Sequence, residues 1–116
     1  MEKEENLLFF ERQISLPITA PHTPILPSKE FQGKTSIGPY GDFVVMIDDM
    51  VRQIVKTLKK NKQLDNTIIV FASDNGCAGY IGVKDMEKKG HFPSYIYRGY
   101  KSDIYEGGHR IPLIVS

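Results

Sequence analysis

Between residues 39 and 76 the apolar positions change period, and the change predicts two elements. Phe43, Ile47, Met50, Val51, Ile54 and Leu58 fall at steps of four, three, one, three and four. That spacing draws one stripe along an α-helix, and Val44 and Val55 widen it. Pro39 suits a first helical turn. Asp42, Asp48 and Asp49 lie toward the start and Lys56, Lys59, Lys60 and Lys62 toward the end, as the helix dipole favours. Asp48 and Arg52, four apart, are expected to pair on the exposed face. The neighbouring carboxylates Asp48 and Asp49 point in different directions on a helix, so they read as a solvated face, not a metal site.

After the turn from Asn61 to Asn66 the helical period is gone. Thr67, Ile68, Ile69, Val70 and Phe71 form an unbroken β-branched and aromatic run, which predicts a strand buried on both faces. Such strands belong to parallel sheets covered by helices. Helix, short turn and buried strand make half of a βαβ unit, with a right-handed crossover expected. A second strand is expected in Arg110–Ser116, which stops with no following turn or helix, as a domain cut short would. At the other end, Leu7–Phe10 could begin a strand and Ile14–Ile18 continue it, with Glu11, Arg12 and Gln13 interrupting.

Between these elements the chain is irregular. Pro21, Pro24 and Pro27 forbid a helix and hold His22 on a stiff loop. Ser28–Ser36 is polar and reads as surface loop. Cys77–Gly99 is interrupted by Gly79, Gly82 and Gly90, with a short helical turn expected over Val83–Lys89. A loop of that length in a compact domain is functional or disordered.

Composition adds exclusions. The 116 residues make one small domain or a piece of a larger one, with ordinary hydrophobic (41%) and charged (25%) content. A net charge of +1 gives no electrostatic case for nucleic acid or a membrane surface. No apolar run approaches the ~20 residues of a membrane helix. The N-terminal M-E-K-E-E-N is too acidic for a secretory signal. One cysteine, Cys77, excludes an internal disulfide and a cysteine-rich metal site, and reads as a small loop residue.

Four places carry candidate chemistry. Asp74 and Asn75 fall at the carboxyl end of the predicted central strand, where open α/β sheets bind ligands. Their carboxylate and amide oxygens are hard donors suited to Ca²⁺ or Mg²⁺, and Gly76 lets the backbone turn away. A strand ending in a D-N-G turn accounts for the same residues. His22 is either a ligand-binding imidazole or a surface histidine between prolines, and His91 reads as a loop residue. Lys101 lies in a loop of cations, glycines and acids, where a lysine binds an anion as a point charge or hands on a proton. A solvated charged turn is the other reading.

Taken together, four motifs resemble the sulfatases of the alkaline phosphatase superfamily, in that family's order. They are A-P-H-T-P at 20–24, M-I-D-D-M-V at 46–51, N-T-I-I-V-F-A-S-D-N-G at 66–76 and R-G-Y-K-S-D-I-Y-E-G-G-H-R-I-P at 98–112. A lone D-N-G is weak evidence, but D-N-G followed by R-G-x-K-x-x-x-x-E-G-G-x-R-x-P is specific. The resemblance implies a partial α/β/α sandwich with a mostly parallel sheet. It makes residues 20–116 a partial catalytic domain and leaves 1–19 as a poorly matching segment. It implies sulfate ester hydrolysis with one divalent ion, normally Ca²⁺, bound through Asp74 and Asn75. Lys101 would contact the sulfate and the leaving ester oxygen, and His22 would reach the same atoms. Glu106, Gly107 and Gly108 would be structural. The substrate would be a sulfated small molecule or carbohydrate, and the compartment secreted, periplasmic or lysosomal.

The family's nucleophile, a formylglycine made in a C-x-P-S-R motif, has no counterpart here, nor has its early pair of aspartates; Cys77 is followed by A-G-Y. Covalent sulfate transfer is therefore not expected from this chain alone, and two ligands should hold Ca²⁺ weakly, since the ion wants about six to eight oxygens. The alternatives are another hydrolase of the superfamily, a phosphodiesterase or phosphonate hydrolase, a non-catalytic remnant, or a small doubly wound domain binding Mg²⁺ or a phosphate.

Overall fold

A computed structural model describes residues 12–116. Its longest element is helix α1, Pro39–Lys60, with proline in the first turn, Asp42 near the start, and Lys59 and Lys60 at the end. The apolar stripe is covered unevenly. Phe43 and Ile47 are buried, whereas Met50, Val51, Ile54 and Leu58 are half-buried. The extended segment Pro17–Ala20 lies beside Phe43, Met46, Ile47 and Met50. A 3₁₀ turn, Leu64–Asn66, follows the helix and packs on it.

Strand β1, Val70–Ala72, pairs with β2, Leu113–Val115. Short helices α2, Val83–Lys88, and α3, Glu106–His109, lie between them in the chain. The two strands run antiparallel, in the register Val70↔Val115, Phe71↔Ile114, Ala72↔Leu113. Ile69 and Ser116 exchange both backbone hydrogen bonds and extend the ladder by one pair. The buried apolar side chains among the described residues are Phe43 and Ile47 on α1, Val83 and Met86 on α2, and Pro27 in the loop before α1.

Several expectations are corrected. The strand expected over Thr67–Phe71 is shorter, starting three residues later at Val70 and ending one later at Ala72, and it is not buried on both faces: Val70 is 61% exposed, and Ile68, just before it, 80%. Its apolar run is real, but nothing among the described residues lies over the sheet. The parallel partner and the right-handed crossover are likewise not found among the described residues, where the one strand pair is antiparallel. The segment Ile14–Ile18 is extended but unpaired, and Ile14 is 80% exposed. Pro17 lacks the N–H a ladder needs, and among the described residues no neighbouring strand is there to pair with. Leu7–Phe10 lies outside the described residues. Arg52 pairs with Asp49, three residues back, not with Asp48; Asp49 also accepts a hydrogen bond from Gln53.

The loop 28–36 is surface chain that one buried carboxylate ties to the helix. Asp42 accepts hydrogen bonds from Gly33 N–H (2.7 Å), Thr35 N–H (2.8 Å) and Thr35 Oγ1 (3.0 Å). Thr35 Oγ1 also lies 3.2 Å from the Gly38 carbonyl. Burial by itself pushes the Asp42 carboxyl up, but the hydrogen bonds from Gly33, Thr35 and Lys34 outweigh it and hold the group below its ordinary 3.8. A depressed carboxyl stabilises the fold fully above its unfolded pKa and loses that stabilisation as pH falls through the folded value. Wild-type thermal midpoints, followed by circular dichroism, should therefore drop below pH 3.8 in part through Asp42. Asp42→Ala should lower the midpoint at neutral pH and lack that part of the acid response. Asp42→Asn, which keeps one acceptor oxygen, should lose less.

Candidate active site

β1 ends at Ala72, and the chain bends over Ser73–Gly76. Ser73 Oγ donates to the Asn75 carbonyl (2.8 Å) and closes the bend. Asp74 is exposed and Asn75 half-buried. Among the described residues neither side chain is engaged in a hydrogen bond or an ion pair, so their oxygens are uncommitted.

The antiparallel register decides what lies beside this bend. Ala72 opposes Leu113, so the exit of β1 lies next to the entry of β2 and the loop before it. The pairing resumes past the bend, where Gly76 N–H donates to the Gly108 carbonyl (2.9 Å). One residue on, Lys101 N–H donates to the Cys77 carbonyl (2.8 Å). The Lys101 loop is closed on itself by Gly107 N–H to the Arg98 carbonyl (2.9 Å) and Tyr100 N–H to Asp103 Oδ2 (2.8 Å). Glycine is required at this crossing for space: a Cβ on Gly76 would run into the Gly107 carbonyl, and one on Gly107 into that of Gly99. The E-G-G sequence is thus structural, as a close approach of three backbone segments. Glu106 faces solvent, paired with Arg110 (3.2 Å) and near His109 (3.9 Å).

The structure therefore brings the Asp74–Asn75 bend and the Lys101 loop together through backbone bonds. It does not join His22 to them: no hydrogen bond among the described residues links loop 20–24 to either one. His22 is exposed, and its Nδ1 lies 2.8 Å from the Thr23 carbonyl, which directs Nε2 away from its own backbone. Among the described residues no group of three or more His, Cys, Asp and Glu side chains could hold a metal ion. His91 lines a shallow apolar cleft of about 370 Å³ with Tyr40, Val44 and Phe92.

One contact had no signal in the sequence. Tyr40, in the first turn of α1, places its hydroxyl against the Cys77 thiol. Burial, and next the negative charge Cys77 would carry, push the Tyr40 hydroxyl up to about 12. Burial also pushes the Cys77 thiol up, with the hydrogen bond from Tyr40 pulling the other way. Tyr40 reads as one more residue near the helix start, and nothing in the spacing tells that it meets a loop so far along the chain.

Comparisons with known proteins show the family. The sulfatase family model matches residues 12–116, and the chain belongs to that family. It is 41% identical over 97 residues to an N-acetylgalactosamine-6-O-sulfatase of Bacteroides thetaiotaomicron, covering 81% of this chain and 19% of that protein. It is 40% identical over 94 residues to an arylsulfatase of Hemicentrotus pulcherrimus, covering 81% and 16%. It is 37% identical over 97 residues to human steryl-sulfatase, covering 81% and 16%. The chain thus spans less than a fifth of the length of these curated relatives. Membership implies the α/β fold of the alkaline phosphatase type, and the family generally uses a divalent metal.

Gly76→Ala should destabilise the chain by roughly 1–3 kcal/mol in urea unfolding, since backbone must move to admit the methyl group. Gly79→Ala should cost less, because its new Cβ meets only the Tyr100 side chain, at 3.2 Å. Separately, the native Cys77 thiol should react with a disulfide reagent near neutral pH more slowly than in the urea-unfolded chain, and Tyr40→Phe should slow it further by removing the bond that favours the thiolate.

Proposed function

We propose that residues 20–116 are the C-terminal portion of a sulfatase catalytic domain, and that the protein to which they contribute hydrolyses sulfate esters of small molecules or carbohydrates. The observation carrying the proposal is the backbone clamp, Gly76 to Gly108 and Lys101 to Cys77, which sets the metal-ligand candidates beside the anion-binding candidate. On this proposal β1 belongs to a larger, mostly parallel sheet in which β2 is an antiparallel member.

The donor chemistry fits a hard divalent cation: Asp74 offers a carboxylate and Asn75 an amide oxygen, both uncommitted. These two residues would hold Ca²⁺ as part of a larger ligand set. When bound, the ion would supply positive charge to the sulfate oxygens. The Lys101 ammonium would bind the sulfate and counter the charge that grows on the bridging oxygen as the S–O bond breaks. His22, oriented through Nδ1 by Thr23, would present Nε2 to the same oxygen, as a proton donor when charged.

A chimera tests the proposal, with residues 20–116 replacing the matching segment of the Bacteroides thetaiotaomicron relative. The folded chimera should release sulfate from that relative's own substrate. Lys101→Ala should lower its kcat by about 100-fold or more, and Asp74→Ala should raise the calcium concentration it needs. A folded chimera that releases no sulfate overturns the proposal.

A further inference from the structure

Lys101 is half-buried, and among the described residues its ammonium makes neither an ion pair nor a hydrogen bond. A lysine with no partner turns freely on its flexible stem, so the space its ammonium can reach is set by its backbone. That backbone lies in a tight turn. Asp103 N–H donates to the Tyr100 carbonyl (2.9 Å), and Asp103 Oδ2 accepts Tyr100 N–H (2.8 Å). Within the turn Ser102 holds φ of 76°, in the left-handed region that a non-glycine residue seldom enters. The turn therefore fixes its own shape, but its place beside the Asp74–Asn75 bend depends on what holds it from outside.

The two contacts nearest the lysine both fall on the segment that leaves the bend. Cys77 accepts the Lys101 N–H at its carbonyl (2.8 Å). Two residues on, Gly79 lies against the Tyr100 ring, so close that a Cβ there would meet ring Cδ2 at 3.2 Å and Cγ at 3.4 Å. The Tyr100 hydroxyl faces the Glu87 carboxylate on α2. Cys77 is in turn backed by Tyr40 from the first turn of α1, whose hydroxyl meets the thiol. Both tyrosines are half-buried. A tyrosine has only two side-chain torsions to lock, so a packed ring is a stiff support for a turn that carries a flexible lysine.

We infer that Tyr40 and Tyr100 are positioning residues for Lys101: Tyr40 steadies Cys77, whose carbonyl holds the lysine, and Tyr100 seats the lysine turn on Gly79. Each acts through the place it gives the ammonium, where a displacement of about 1 Å can cost on the order of 100-fold in rate. The effect on rate rests on the function proposed above; the effect on the Lys101 backbone does not. Two measurements test the inference. In the 116-residue chain, followed by NMR, the Lys101 amide should exchange with solvent about tenfold faster in Tyr40→Ala and in Tyr100→Ala than in wild type, with the Ile54 amide of α1 unchanged. In the sulfatase chimera each alanine variant should lower kcat about tenfold while KM changes less than about twofold. Tyr40→Phe and Tyr100→Phe, which keep the rings, should lose less. In a Lys101→Ala background either alanine variant should cost almost nothing more, because the group it positions is gone, whereas a merely structural tyrosine would cost the same in both backgrounds. Circular dichroism checks that each variant keeps its helix, and if Tyr40→Ala does not fold, Tyr40→Phe and Tyr100→Ala decide. Wild-type exchange at Lys101 in the folded alanine variants, or an undiminished loss in the Lys101→Ala background, overturns the inference. A wild-type chimera that releases no sulfate overturns the proposed function alone, and the exchange rates then decide this inference by themselves.

Discussion

The crossing of backbone at Gly76, Gly99 and Gly107 is the contact on which the candidate site depends. Amide and carbonyl groups there meet at hydrogen-bond distance with no room for a side chain. Any Cβ at the crossing would separate the bend after β1 from the loop before β2. The Lys101 backbone would then lose the Cys77 carbonyl, and with it the link between a candidate anion-binding lysine and two candidate metal ligands. The antiparallel pairing of β1 with β2 supplies the approach, and the glycines let it continue beyond the last paired residue.

The helix reaches the same region by a different physical route. Asp42 holds the loop at Gly33–Thr35 against the first turn of α1, through enough hydrogen bonds to keep a buried carboxylate ionised. Two residues earlier, Tyr40 presses its hydroxyl against Cys77, whose carbonyl holds Lys101. Helix start, strand exit and lysine loop are thus linked through one half-buried cysteine that makes no disulfide. Its value there is its small size and a thiol that donates to the Ala78 carbonyl (3.6 Å), since burial disfavours the thiolate.

The bare faces of β1 and β2 are explained by how little of a sulfatase this chain spans. A run such as Ile68–Phe71 predicts burial because apolar side chains leave water when a layer is available to cover them. Among the described residues no such layer exists, so Ile68 and Val70 stand exposed while Ile69 and Phe71 are half-buried. Val70 and Phe71 of this run lie in β1, but burial is a property of neighbours, and neighbours are not encoded within the run. The same reason separates Ile14–Ile18, apolar but unpaired, from α1, whose hydrogen bonds are satisfied within the helix and need no partner.

Local patterns alone determined α1 from its first proline to its last lysines, the turn after it, the short helix near Val83, and the existence of both strands. The motifs likewise determined the family, because their order along the chain is a property of sequence. Only the tertiary structure decided that the strands run antiparallel, that Lys101 is tied by its backbone to the D-N-G bend while His22 is not, and that Tyr40 faces Cys77. Helical period and turn chemistry act over a few residues, so one segment records them. Strand direction, glycine crossings and side-chain meetings between distant segments depend on where the chain returns in space, and no single segment records that.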